Sequence, residues 1–154
     1  MLIVNNYLHL MKRKILIMGL PGSGKTTLAR ELAKKIKAAW FNADLVRENI
    51  NKDLGWSTQD RIEQAKRMGK ICEWASFGGN YVIADFVCPT EETREAFNAD
   101  WVIYIDRIKE GRFEDTNKIF IPPSNPHLTL KKDSLENWIK DSMELIESGG
   151  EDRI

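Results

Sequence analysis

The chain of 154 residues has two cysteines, no net charge and no long hydrophobic run. Each shortage removes a class of protein. Cys72 and Cys88 make no disulfide framework, and no CxxC pair offers zinc or redox chemistry. Reduced thiols in a cytoplasmic protein are the expectation. Lys and Arg total 23, as do Asp and Glu. That balance argues against a polybasic surface gripping a long nucleic acid, though it leaves room for a local basic pocket. No apolar run approaches the ~18 residues of a membrane span, so neither nucleic acid nor membrane is an expected partner. Residues 1–10 are faintly apolar but lack a basic leader and a small-residue cleavage site. They read as a poorly ordered or alternative-start extension, with Met11 a second start. The tail Ser148 to Asp152 reads as a frayed end. There is no internal repeat and no low-complexity tract. Hydrophobic residues at 42% and charged residues at 30% fit an ordinary globular protein, with one domain expected over 11–154.

Along the chain, strand-like and helix-like runs alternate. Lys14 to Met18 is a short apolar run ending at Gly19, read as a buried strand. Thr26 to Lys37 places Leu28, Leu32 and Ile36 on one face of a helix. Ala38 to Asp44 reads as a second strand, running into polar residues. Gln59 to Phe77 carries Ile62, Ala65, Met68, Ile71, Cys72 and Ala75 at helical spacing, and Gly78-Gly79 stops it. Trp74 and Trp101 are assigned to the core. Tyr81 to Phe86 is a third strand, Thr90 to Phe97 a short helix, and Trp101 to Ile105 a fourth strand. A charged stretch from Arg107 to Lys118 precedes Pro122-Pro123. Leu128 to Leu130 reads as a short fifth strand, and Ser134 to Ile146 as a closing helix. This order predicts an α/β fold with a mainly parallel five-stranded sheet and helices on both faces. In such sheets ligands gather at the carboxyl ends of the strands. The polar residues there are Gly19 to Thr26, Asp44, Asp85 to Pro89, and Asp106 onward.

One of these segments carries a specific motif. Gly19-Leu20-Pro21-Gly22-Ser23-Gly24-Lys25-Thr26 fits GxxxxGK[ST] at every specified position, between a predicted strand and a predicted helix. Glycines let consecutive backbone N–H groups turn toward phosphate oxygens. The following helix directs its positive end at the same anion. Lys25 adds a mobile charge for the γ-phosphate, and the Thr26 hydroxyl is a candidate Mg²⁺ ligand. The loop, with Thr27, is therefore a candidate ATP site in a three-layer P-loop NTPase fold. No NKxD guanine signature follows, and the chain is short for a motor or transport ATPase. Asp85, after the third strand, is a candidate to hold Mg²⁺ through water.

Three further segments narrow the reading: Asp44-Leu45-Val46-Arg47, Asn51 to Ser57, and Asp60-Arg61-Ile62-Glu63. Together they resemble the adenylylsulfate kinase family, whose pattern is roughly DGDNxRxxxNxDLGFSxxDRxEN, and the spacing matches without a gap. The resemblance extends upstream through the phosphate loop. Downstream it reaches Pro89 and resumes at Phe113 and at Pro123-Ser124-Asn125-Pro126. It implies a nucleotide-kinase-like fold and transfer of phosphate from MgATP to the 3′-hydroxyl of adenosine 5′-phosphosulfate. It further implies that Asp44 lies near the accepting hydroxyl and that Arg47 and Arg61 hold the acceptor's anionic end. Trp56, where the family has phenylalanine, and Phe113 from a lid over about 107–127 would flank the acceptor base. Asn42, Asn51, Gln64, Val87 and Cys88 complete the implied acceptor side. A homodimer is also implied. Read by itself, Cys88 is a small packed residue, and His127 is structural or exposed.

Departures from the family pattern cluster on the acceptor side. The first acidic residue of DGD is Asn42 here, and its glycine is Ala43. The family's SFISPY stretch is Asp85-Phe86-Val87-Cys88-Pro89-Thr90. The lysine-rich segment before the lid phenylalanine is absent, with Arg107, Lys109 and Arg112 as replacement charges. Two other readings therefore stay open: a kinase of the same build with a different nucleotide conjugate or small hydroxyl acceptor, and a nucleotide-binding module without catalysis.

Overall fold

Five short runs form a parallel sheet, and the three central ones, rich in Ile, Val and Ala, can bury their side chains on both faces. In a computed structural model, which describes residues 12–149, the strands are β1 (Lys14–Met18), β2 (Ala39–Asn42), β3 (Val82–Asp85), β4 (Trp101–Ile105) and β5 (Leu128–Leu130). Residues 1–10, read above as an extension, and the last part of the tail lie outside the described residues. The spatial order is β2-β3-β1-β4-β5, and every adjacent pair is parallel. The helices are α1 (Lys25–Ile36), α2 (Ala43–Asn49), α3 (Thr58–Ala75), α4 (Glu91–Phe97), α5 (Glu114–Ile119) and α6 (Leu135–Glu147).

Alternation along the strands splits the interior into two cores. Ile15, Ile17, Ile83, Trp101, Ile103 and Ile105 face α1 and α6, where Leu28, Leu32 and Trp138 meet them. Leu16, Met18, Val82 and Ala84 face the other way, against Ala65, Met68 and Cys72 of α3 and Phe97 of α4. Each fully buried Leu, Ile or Met contributes about 1.5–3 kcal/mol over exposure, so the three layers hold together by burial. Gly69 lets α3 lie against α4: a Cβ there would sit 2.6 Å from the Phe97 carbonyl oxygen.

Three expectations need correction. Ala38 to Asp44 is not one strand. The Asn42 side chain accepts from the Leu45 N–H and caps α2, so Asp44 lies in the first turn of a helix. The charged stretch after Asp106 contains α5, whose one buried residue, Thr116, left no apolar stripe to read. Trp74 is 63% exposed rather than in the core. It stands two residues past buried Cys72, which is about 200° around the helix. Trp101 is buried as expected. Both cysteines are free and buried, and His127 is structural, accepting from the Val102 N–H through Nδ1.

Candidate active site

The chain leaves β1 into the phosphate loop at the carboxyl edge of the sheet. Gly24 caps α1 at φ 110°, a left-handed conformation that glycine adopts without strain, and the Trp138 ring fills the space where a Cβ would stand. Lys25, the first residue of α1, is buried and donates from Nζ to the Leu20 carbonyl at 3.0 Å. Burial draws its pKa down to about 8, with Asp85 and Asp44 opposing that shift. The Ser23 hydroxyl oxygen is buried without a hydrogen-bond partner in the same loop.

Beside the loop, four side chains converge. The Thr26 hydroxyl donates to Asp85 Oδ2 at 3.0 Å. Trp40 Nε1 donates to Asp85 Oδ1 at 2.6 Å, and the Asn42 amide reaches both carboxylate oxygens at 3.3 and 3.1 Å. The register explains the meeting, since Asn42 pairs with Asp85 across the β2–β3 ladder and Trp40 is two residues back on the same face. Burial pushes the Asp85 carboxyl above its ordinary range, while these three donors and Lys25 pull it down. Among the described residues no cluster of three His, Cys, Asp or Glu side chains exists for a metal. A hydroxyl and one carboxylate at the loop's edge still fit Mg²⁺, which takes few protein oxygens and completes its shell with phosphates and water.

A cleft of about 480 Å³ opens over the loop. Pro21, Gly22, Gly24, Lys25, Thr26 and Thr27 line it, as do Asn42, Asp85, Val87 and Cys88 at and just beyond the strand ends. Asp44, Arg47, Trp56, Arg61, Gln64 and Phe113 line the same cleft. Nearly all the residues singled out from the sequence thus share one cavity. Gly19, Leu20 and Ser23 belong to the loop without lining the cleft. Asn51 is the other departure. It is buried, donates to Gln64 Oε1 and accepts from Arg67, so it braces the wall from behind.

The side chains around Trp56 have their own internal order. Arg47 stacks over Trp56 at 3.9 Å and donates to the Gly55 carbonyl. Arg61 lies over the same ring at 5.3 Å, donates to the Trp56 carbonyl, and meets Asp115 of α5 at 3.5 Å. Trp56 keeps 60% of its surface exposed despite these contacts. Phe113, immediately before α5, also lines the cleft and is 52% exposed. Cys88 is fully buried at φ 49°, and burial raises its thiol to about 12, which suits packing and not nucleophilic chemistry.

Two contributors are absent from the sequence-based site. Trp40 was read only as part of a strand, although its parity with Asn42 places it on the same face. Arg107 was noted only as replacement charge. It donates to the carbonyls of Ser23 and Gly22 at 3.0 and 2.7 Å, tying the start of the lid to the phosphate loop. Gly111 continues that contact, since a Cβ there would meet Pro21 at 2.9 Å.

Comparison with known proteins finds similar sequences and the same fold. The adenylyl-sulfate kinase of Shewanella sp. (strain ANA-3) is 36% identical over 100 residues, covering 62% of this chain and 45% of its own length. Adenylyl-sulfate kinase 3 of Arabidopsis thaliana is 38% identical over 85 residues, covering 52% of this chain and 41% of its own length. The matched stretch thus spans less than half the length of these curated relatives. Among solved structures, a Mycobacterium tuberculosis APS kinase in complex with AMPPNP and APS superposes with a TM-score of 0.75 at 20% identity, covering 88% of this chain and 98% of that one. A Sinorhizobium meliloti gluconokinase superposes with a TM-score of 0.69 at 12% identity, covering 91% of this chain and 94% of that one. These two share the fold. The family profile described as adenylylsulphate kinase matches residues 11–104, from before the phosphate loop through most of β4, and the chain belongs to that family.

Proposed function

We propose that this protein transfers the γ-phosphate of ATP to the 3′-hydroxyl of adenosine 5′-phosphosulfate, giving 3′-phosphoadenylylsulfate. The observation that carries the reading is a single cleft lined both by Lys25 and Thr26 and by Asp44, Arg47, Arg61, Trp56 and Phe113. The loop amides and Lys25 bind the donor's phosphates and spread the charge that develops on the transferring group. Arg47 and Arg61 attract the acceptor's anionic end, and Trp56 and Phe113 offer flat surfaces for its base. Asp44 orients the accepting hydroxyl or takes its proton. Mg²⁺, held by the Thr26 hydroxyl and through water by Asp85, would neutralise charge on the donor's phosphates. The reading includes a cytoplasmic enzyme, drawn from the two free cysteines, and a homodimer, drawn from its family; among the described residues no helix is long and apolar enough to cross a membrane.

The test mixes purified protein with MgATP and adenosine 5′-phosphosulfate, follows ADP release and identifies the product by mass. Turnover that disappears in Lys25→Ala is the expected result. ATP binding without turnover on this acceptor would move the assignment to a different hydroxyl substrate. Asp44→Asn should lower kcat by about 10²–10⁴, the usual span for a general base, and leave ATP affinity nearly unchanged. Near-normal turnover would remove Asp44 from its role.

A further inference from the structure

Two arginines share one aromatic ring. Arg47 comes from the last turn of α2, and Arg61 from the start of α3. The Arg47 guanidinium lies over the Trp56 ring at 3.9 Å from its centre, and that of Arg61 at 5.3 Å. The backbone around the ring is tied to the same pair. Arg47 donates to the Gly55 carbonyl, Arg61 donates to the Trp56 carbonyl at 3.0 Å, and the Gly55 N–H donates to Asp60 at 3.0 Å. All three side chains line the cleft. Resting on the acceptor reading above, we propose that Trp56 is a positioning residue. Its ring holds the two guanidiniums together as a clip for one oxyanion, the phosphate or sulfate ester of the acceptor.

Two like charges held this close repel, and something must offset the repulsion. An indole face is the best aromatic partner for a cation, and a guanidinium stacks on it flat. Carboxylates contribute little. Both hydrogen bonds of Arg47 go to backbone carbonyls, those of Leu54 and Gly55. Among the described residues the one ion pair of these two arginines joins Arg61 to Asp115, at 3.5 Å, and Asp115 is 75% exposed. Burial and then the Arg61 charge pull the Arg47 pKa below its ordinary value, with Asp44 and Asp60 opposing. An oxyanion bound by both guanidiniums relieves that repulsion, and guanidinium forks suit its geometry. The ring face under Arg47 is closed to an acceptor base, so this role is separate from stacking.

The test titrates ribose 5-phosphate, which has an ester anion and no base, into protein saturated with MgAMPPNP, followed by ligand-observed NMR. Binding should weaken about tenfold in Trp56→Leu and less in Trp56→Phe, which keeps a poorer cation partner. Trp56→Leu should cost less in an Arg47→Gln background than alone, because one of the guanidiniums it places is gone. Equal binding by the wild type and Trp56→Leu overturns the clip, as do purely additive losses in the double variant or a wild type that does not bind the probe. The same titrations with adenosine 5′-phosphosulfate separate this role from the acceptor reading. Trp56-dependent binding of ribose 5-phosphate without binding of adenosine 5′-phosphosulfate keeps the clip and removes that acceptor. A loss in Trp56→Leu confined to adenosine 5′-phosphosulfate makes the ring a base platform only and overturns the clip. Trp56 is 60% exposed, so these variants should fold, and melting temperatures check that they do.

Discussion

Lys25 is held where its charge is expensive. With its pKa drawn to about 8 by burial, the ammonium costs the ligand-free protein about 3 kcal/mol below that pH. Between about pH 8 and 10.5 the folded chain has released a proton that the unfolded chain keeps, so this group's contribution to stability rises with pH. Donor phosphates reverse the preference, because they favour the ammonium. Nucleotide binding above pH 8 should therefore take up a proton, and ATP affinity should fall as pH rises from 8 to 10. Calorimetry at pH 8.5 in two buffers of different ionisation enthalpy measures the uptake directly. Lys25→Met should raise the melting temperature at pH 7 while abolishing tight ATP binding. Asp115 poses a smaller residue-scale question. It occupies Arg61 at 3.5 Å and is itself 75% exposed, so the pair is worth at most about 1 kcal/mol. Asp115→Ala should free Arg61 for an anionic acceptor and lower the acceptor's KM by up to about fivefold with kcat unchanged. Acceptor titrations at saturating ATP check this.

Among the elements, the phosphate loop, β1 and α1 were the most legible from sequence, because glycines at fixed spacing and an apolar run before them admit few structures. The helix α2 was hidden. Its cap, Asn42, is also the last strand residue, and no loop residue separates strand from helix. The helix α5 was hidden for a different reason, having charge on half of its six residues and only Thr116 buried. The lid's attachment was illegible because Arg107 acts through backbone carbonyls, which no side-chain pattern encodes. Arg107→Ala should loosen the phosphate loop and weaken ATP binding by several-fold, in line with a net value of about 1 kcal/mol for exposed hydrogen bonds. The contact of α3 with α4 admits a sharper prediction. Gly69→Ala would place a methyl 2.6 Å from the Phe97 carbonyl, and overpacking of this kind costs about 1–3 kcal/mol. Chemical denaturation should show a lower midpoint, with an unchanged slope if the native surface is retained.

At the scale of the molecule, both substrates are expected to meet in one cleft at the carboxyl edge of a sheet whose strands are all parallel. The fold class was legible because strands and helices alternate, while the meeting of Trp40 with Asp85 depends on a register that only the assembled sheet fixes. Binding of MgATP at 100 times its Kd should stabilise the protein by about 2.7 kcal/mol. For a chain of this size that is a rise of roughly 5–10 °C in Tm, and differential scanning fluorimetry without acceptor measures it independently of turnover. The indole rings around the cleft have an optical consequence. Trp40 donates to the carboxylate beside the loop, Trp138 packs against Gly24, and Trp56 lines the cleft beside Arg47 and Arg61. Three of the five tryptophans therefore surround the places where donor and acceptor would bind. The protein carries its own fluorescent probes, and the emission changes on adding each nucleotide alone would show whether that nucleotide reaches these rings, with no label attached.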